Sequence, residues 1–394
     1  MSTAQTPSGG IVHEVCWSDA LPWWILFRAA GAAFSPTVIF LALFGSVAMQ
    51  AGWSACDRAG LTMPMSETDV VLRSQVGRGD LALQAPSGEP MLPPRLTPTA
   101  EVLPWVPSWL AAVVPGPFAD IVRLTTIPFL PTSELGDVMA ASARLGWFIL
   151  VWAIFGTAIT RCVALKLASE EPLGPLGALG YGSKKWPPAV NSVLFVLVGI
   201  FAMSIPGALL GLAMRTELGT YAVGIIWPLV LLGAVVLAIL AIGVVVGWPL
   251  MVAAVGVERA DSFQAISTAF SYVYQRPLHY LFHAVVALIV AVPALAAAGV
   301  LADATSTLAL WAASFGMGHD RAAQVVHGLG NLDGGAVALG PLRFWTRGLV
   351  TLLGAFGWGY FWAIATASYL VLRRDVDGTE MDEIVIDEPG TQAG

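Results

Sequence analysis

Two histidines four residues apart, His279 and His283, share one face of a predicted helix, a spacing that can hold a metal ion or a haem. No third ligand stands near them in the sequence, and the residue types fit interfacial histidines at a helix end. A second group, His319, Asp320, His327 and Asp333, offers nitrogen and oxygen ligands at spacings that match no metal-binding pattern. Gly328, Gly330, Gly334, Gly335 and Gly340 surround them and predict a mobile loop over 303 to 345. Cys16, Cys56 and Cys162 lie far apart and form no C-x-x-C pair, so neither a zinc site nor a disulfide framework is encoded. The G-x-S-x-G elbow of a serine hydrolase does not occur. The sequence therefore predicts no catalytic, cofactor or metal site, and it reads as a non-enzyme.

The elements that would position any site are membrane elements. Of 394 residues, 57% are hydrophobic and 11% charged, against roughly a quarter charged in a soluble domain. Mean hydropathy is +0.75, and several apolar runs are long enough to cross a bilayer. The net charge of -7 resides in the last twenty residues, where seven acids stand without a Lys or Arg. Setting them aside leaves 19 acids beside 19 bases, with no basic patch of the kind a phosphate backbone requires. Membrane lipid and other membrane proteins are the expected partners, and nucleic acid is not.

Along the chain, residues 1 to 35 form an N-terminal segment with Glu14 and Asp19 but no Lys or Arg in its first twenty positions, unlike a cleavable signal. Within it LPWWILFRAAGAAF, residues 21 to 34, predicts a short interfacial helix anchored by Trp23 and Trp24. Span 1 covers 36 to 53. Residues 54 to 136 form a Pro-rich insertion whose apolar second half is broken by Pro104, Pro107, Pro115, Pro117, Pro128 and Pro131, with Trp105 and Trp109 as interface anchors. A five-span bundle follows over 137 to 374, with spans at 146 to 167, 190 to 214, 221 to 257, 278 to 301 and 349 to 372. The fourth span would reach roughly 55 Å as one helix against a hydrocarbon core of about 30 Å, so it must tilt, kink or protrude. Residues 375 to 394 predict a disordered acidic tail.

Six spans place both termini on one side, and Arg373 and Arg374 directly after the sixth mark that side as cytoplasmic. Lys166, Lys184, Lys185, Arg259 and Arg276 agree, and the 54 to 136 insertion is then extracytoplasmic. The expected fold is an all-α six-span helical bundle with interfacial helices and an extracytoplasmic insertion. None of the six spans carries a central ionisable residue, which speaks against ion-coupled transport. Arg161 lies near the cytoplasmic end of its span, where it can snorkel.

The two cytoplasmic connections share a pattern. Leu176 to Leu179 begins five residues after Glu171, Phe263 to Ile266 begins five after Glu258, and the connections close on KKWP and QRP. An internal repeat of spans 2-3 and 4-5 would explain this, and so would chance similarity between two interfacial loops. The second copy predicts an in-plane helix over 261 to 274, capped by Asp261 with Gln264 three residues on and bearing a stripe of Phe263, Ile266, Phe270 and Val273. Glu258, Asp261, Phe263, Ile266, Phe270 and Arg276 are candidate residues of a cytoplasmic docking surface; the alternative is a wedge that seats the helix ends among the headgroups. The glycines of LGPLGALGYG predict a looser first copy. Gly207 with Gly211, and Gly243 with Gly247, read G-x-x-x-G and predict close packing between the third and fourth spans, which the short connection joins as neighbours; oligomerisation is the alternative use.

The stretch GWPLMVAAVGVERADSFQAISTAFSYVYQRP, with PWWILFRAAGAAF and TAITRCVALKLASEE, resembles an uncharacterised family of bacterial multipass membrane proteins. The pattern of span, Glu, amphipathic helix and span is also similar to the membrane domain attached to some glycerophosphodiester phosphodiesterases, without any counterpart of their catalytic barrel. The resemblance implies a membrane module without implying its activity, and the expected location is the bacterial inner membrane. The function expected is to organise or assist other envelope components; passage of a lipid or small solute without ion coupling is the alternative.

Overall fold

The structure, a computed structural model, describes residues 21–62, 124–125, 127–129, 133–171, 173–330 and 339–384. After a single 3-10 turn at Pro22–Trp24, the chain builds α1 (Ile25–Ala33), α2 (Pro36–Arg58), α3 (Leu135–Leu167), α4 (Pro175–Ala213) and α5 (Glu217–Glu258). It continues with α6 (Ser262–Gln275), α7 (Pro277–Met317), α8 (His319–Gly330) and α9 (Gly340–Asp377). Six of these, α2, α3, α4, α5, α7 and α9, are long and apolar enough to cross a membrane. The fold is an all-helical multi-pass membrane bundle.

Local chemistry marks where helices begin. Prolines enter α2, α4, α7 and α9 in their first turn, where the missing N–H removes no hydrogen bond. Asp261 caps α6 by accepting from Gln264 N at 2.8 Å, the cap its sequence predicts. Thr216 caps α5 through Gly219 N.

Several predicted boundaries are corrected. The helix of the second span begins at Leu135 rather than 146, because its first turns pair Arg144 with Asp57 at the end of α2 instead of entering the apolar run. The glycine-rich connection before the third span is no loose loop: α4 starts at Pro175 and runs through Pro187 and Pro188. Tertiary contact overrides weak propensity there. A Cβ on Gly182 would collide with the Ile154 carbonyl of α3, so only glycine lets the two backbones approach this closely. The glycine-rich loop predicted over 303 to 345 is mostly helix as well. The Ala- and Leu-rich run carries α7 to Met317, Gly318 breaks it at φ +75°, and α8 follows. Residues 331–338 lie outside the described residues, as does most of the 54 to 136 insertion.

Helix α3 is the central pillar. Of its eighteen-residue apolar window 78% is buried, against 17% in α4 and 11% in α5. Trp152 on α3 stacks on Trp358 of α9 with ring centroids 4.3 Å apart, and Trp248 of α5 meets Trp362 edge-on at 5.1 Å. The indole N–H groups of Trp152, Trp248 and Trp362 are buried with no acceptor among the described residues, so their rings hold the core through contact area rather than hydrogen bonds. Gly156 makes this possible, since a Cβ there would lie 2.8 Å from the Trp362 ring.

Packing is uneven along the bundle. Residues 243 to 257 of α5 are largely buried, whereas between 201 and 242 Val223 is the one buried residue. Substituting Gly156→Leu should overpack the Trp152–Trp362 layer and destabilise the bundle by about 1–3 kcal/mol. Thermal unfolding in mild detergent reads this, and an unchanged midpoint would refute the close contact.

Candidate functional site at the base of the bundle

Helices α3, α5 and α9 end together, and α4 and α7 begin beside them. Their convergence creates a buried polar cluster, here called the base. A helix end leaves carbonyls that no further turn can satisfy. At the base, arginines from other elements take them up. Arg28 of α1 donates to Leu167 O at 2.9 Å, and Arg161 of α3 donates to Val257 O at 3.3 Å. Tyr181 of α4 donates to Val255 O at 2.9 Å, and its ring lies under the Arg161 guanidinium, 5.2 Å from the centroid.

Arg373 organises the other half. It is 3% exposed, and its Nη1 lies 3.2 Å from Glu258 Oε1 at the end of α5. Its Nη2 donates to the carbonyls of Glu380 and Glu383 at 2.7 and 2.6 Å. Gly378 at φ +69° ends α9 and turns the chain back so that those carbonyls can arrive. Ile384 is buried against the core. The first part of the acidic tail is therefore ordered on the base, contrary to a tail disordered from 375, because Arg373 supplies donors that its backbone can meet. Residues 385–394 lie outside the described residues.

Tyr272 of α6 donates to Asp377, and its ring packs 5.5 Å from that of Tyr369. Burial, and after it the Asp377 carboxylate, push the Tyr272 phenol well above its ordinary value of about 10. His279 Nδ1 lies 3.4 Å from Asp375, while His283 is buried with Nδ1 unpartnered among the described residues. No group of three metal-ligating side chains forms among the described residues; His319 and His327 both sit on α8, and Asp333 is outside those described.

The predicted docking residues separate. Glu258 is engaged by Arg373, Asp261 is the cap of α6, and Phe270 covers Gly243 and stacks on Tyr274. Ile266 packs partly against the core. Phe263 is 70% exposed and stacks on Phe195 of α4, while Arg276 is exposed. The buried face of α6 is Ala265, Ala269, Tyr272 and Val273; of the predicted stripe Val273 is buried, Ile266 and Phe270 pack partly against the core and Phe263 is exposed. Thus α6 ties α4, α5 and α9 together.

The two G-x-x-x-G motifs do not meet. Gly243 and Gly247 receive α6 through Phe270 and Ala269, whereas a Cβ on Gly207 or Gly211 would meet nothing within 4 Å. The two connections that suggested a repeat also differ, since Leu176 to Leu179 falls inside α4 and Phe263 to Ile266 inside the separate α6.

A second feature went unseen in the sequence. Between α3, α4, α5 and the 3-10 turn Ile127–Phe129 lies a cavity of about 400 Å³, walled by Val193, Leu197, Val244 and Trp248 among others. Its residues come from four separate segments, so no local motif could announce it. Comparison with protein families, with curated proteins and with solved structures finds no match for this chain.

Removing Arg373 alone, as Arg373→Met, leaves Glu258 partly buried without its partner and should cost about 3–5 kcal/mol. Adding Glu258→Gln should recover part of that loss; equal stability of the single and double variants would contradict the pairing. The Tyr272 shift also has a sign. The folded state holds the proton more tightly than the unfolded one, so its contribution is complete below pH about 10 and falls as pH rises beyond that. Tyr272→Phe should flatten part of this alkaline decline in melting temperature.

Proposed function

We propose that the protein is a non-enzymatic multi-pass module of the bacterial inner membrane that organises or assists other envelope components. The base faces the cytoplasm in this reading, as Arg373, Arg374 and the lysines near α4 suggest, and the 54 to 136 insertion faces outward. The observation that carries it is the contrast between a locked base and a bare arm. The α4–α5 hairpin beyond residue 200 is apolar and, through residue 242, buries Val223 alone. Gly199, Gly207, Gly211 and Gly224 along it have no neighbour within 4 Å of an added Cβ. In lipid, where apolar surface alone gives no drive to associate, small residues let a partner helix come close enough for dispersion and weak hydrogen bonds. The base keeps the arm's root fixed while the arm is presented.

Passage of a lipid or small uncharged solute is the second reading, and the cavity beside α3 favours it. Its walls are apolar, which suits neither a charged solute nor a hydrated path. The two readings separate by experiment. A photoreactive residue placed at Leu209, Ile225 or Leu232 in the native membrane should yield a discrete protein adduct, weakened by Gly207→Leu. Adducts to lipid alone at all three positions would refute the organising role, and solute or lipid flux in protein-containing vesicles would then support passage.

A further inference from the structure

The cavity has two unlike ends. Helices α3 and α5 run the same way through the bundle, as the Phe148–Trp248 and Arg161–Val257 contacts together require, and α4 runs against them, with Tyr181 at Val255 and Val193 at the level of the cavity. One end is therefore formed by Ser142, Leu197 and Ala241, and the other by Ile149, Val190 and Trp248. Seven residues of helical rise separate these levels, about 10 Å. The first end holds the Ser142 hydroxyl, whereas Arg144, two residues on, turns to the other side of α3 and pairs with Asp57 of α2. The second is closed by Phe148 against Trp248, ring centroids 5.3 Å apart.

We propose that this cavity is a binding site for one acyl chain of a bilayer lipid, its methyl end against Trp248 and its polar end at the Ser142 rim. The chemistry selects that class. No ionisable side chain stands among the described lining residues, so a charged group inside would lose its hydration without a partner. A linear hydrocarbon with one polar end matches an apolar slot with one polar rim. Leu194 and Val245 line the cavity and are each 48% exposed, so its wall is continuous with the surface that faces lipid. Protein interiors leave few voids larger than a water, and about 400 Å³ falls within the range of small-molecule sites. The site stands independently of the organising role, since a held lipid can serve either reading of function.

The test uses the full chain reconstituted in nanodiscs that contain phosphatidylethanolamine with a photoactivatable diazirine near the end of one acyl chain. Irradiation and peptide mapping should place adducts severalfold more densely on the peptides bearing Ile149, Val193 and Trp248 than on the exposed arm around Leu209 and Ile225. Gly146→Leu should remove that excess, because a Cβ on Gly146 meets no atom within 4 Å and Gly146 lines the cavity. Ala241→Leu fills the same space from α5 and should act alike. Adduct density equal to that of the arm in the unmodified protein overturns the proposal without recourse to any variant. Enrichment that survives both fillings overturns it too, as does a specific disulfide between a cysteine at Val193 and one within residues 102–123, which would assign the cavity to the chain's own apolar segment.

Discussion

Helix ends converge at one place in this molecule, and the carbonyls they leave must find donors. Arg28 and Arg161 provide them, each reaching from one segment to the last turn of another at Leu167 and Val257, while Arg373 takes up the Glu380 and Glu383 carbonyls of the chain that returns after α9. A guanidinium suits this task because its planar fork serves two acceptors while remaining charged. Arg373 uses one arm for Glu258 and the other for the returning chain. The rest of the bundle depends on this arrangement, since α3, α5 and α9 carry the buried tryptophans and are held in register at their last turns.

From that root the structure loosens with distance. The Trp152, Trp248, Trp358 and Trp362 layer is close packed. Beyond it α4 and α5 keep each other's company and little else, and a cavity lies where α3 meets them. In a bilayer such a graded bundle is stable because lipid covers apolar side chains as well as protein does, and only the backbone must be satisfied internally. A rigid foot with a bare arm is therefore a form available to a membrane protein that a soluble protein of this composition would not tolerate.

The number and class of the spans were legible in the sequence because uninterrupted apolar runs are written residue by residue, and the α6 cap was legible because Asp261 and Gln264 are local neighbours. The lengths were not. Hydropathy starts the third span at 190, after Lys185 and the prolines that follow it, yet α4 already runs from Pro175 through Pro187 and Pro188 because Gly182 and Tyr181 are fixed by α3 and α5. The candidate site suffered the same limit. Arg373 reads in sequence as a topology marker and Glu258 as a docking residue, and nothing local reveals that two residues 115 positions apart form one pair. The apolar stripe of α6 was legible as a pattern and in part as a contact face, since Val273 is buried and Ile266 and Phe270 touch the core, but nothing local shows that Ala265 and Ala269 are the residues fully enclosed.

Hydrogen exchange of the full chain in nanodiscs measures the base directly. If the arginines join these ends into one unit, amides in the last turns of α3, α5 and α9, together with residues 380–384, exchange slowly in the parent protein. In Arg373→Met, protection falls together in the last turns of α5 and α9 and in 380–384. Rapid exchange of 380–384 in the parent protein, or loss confined to that segment while α5 is unaffected, would contradict the account.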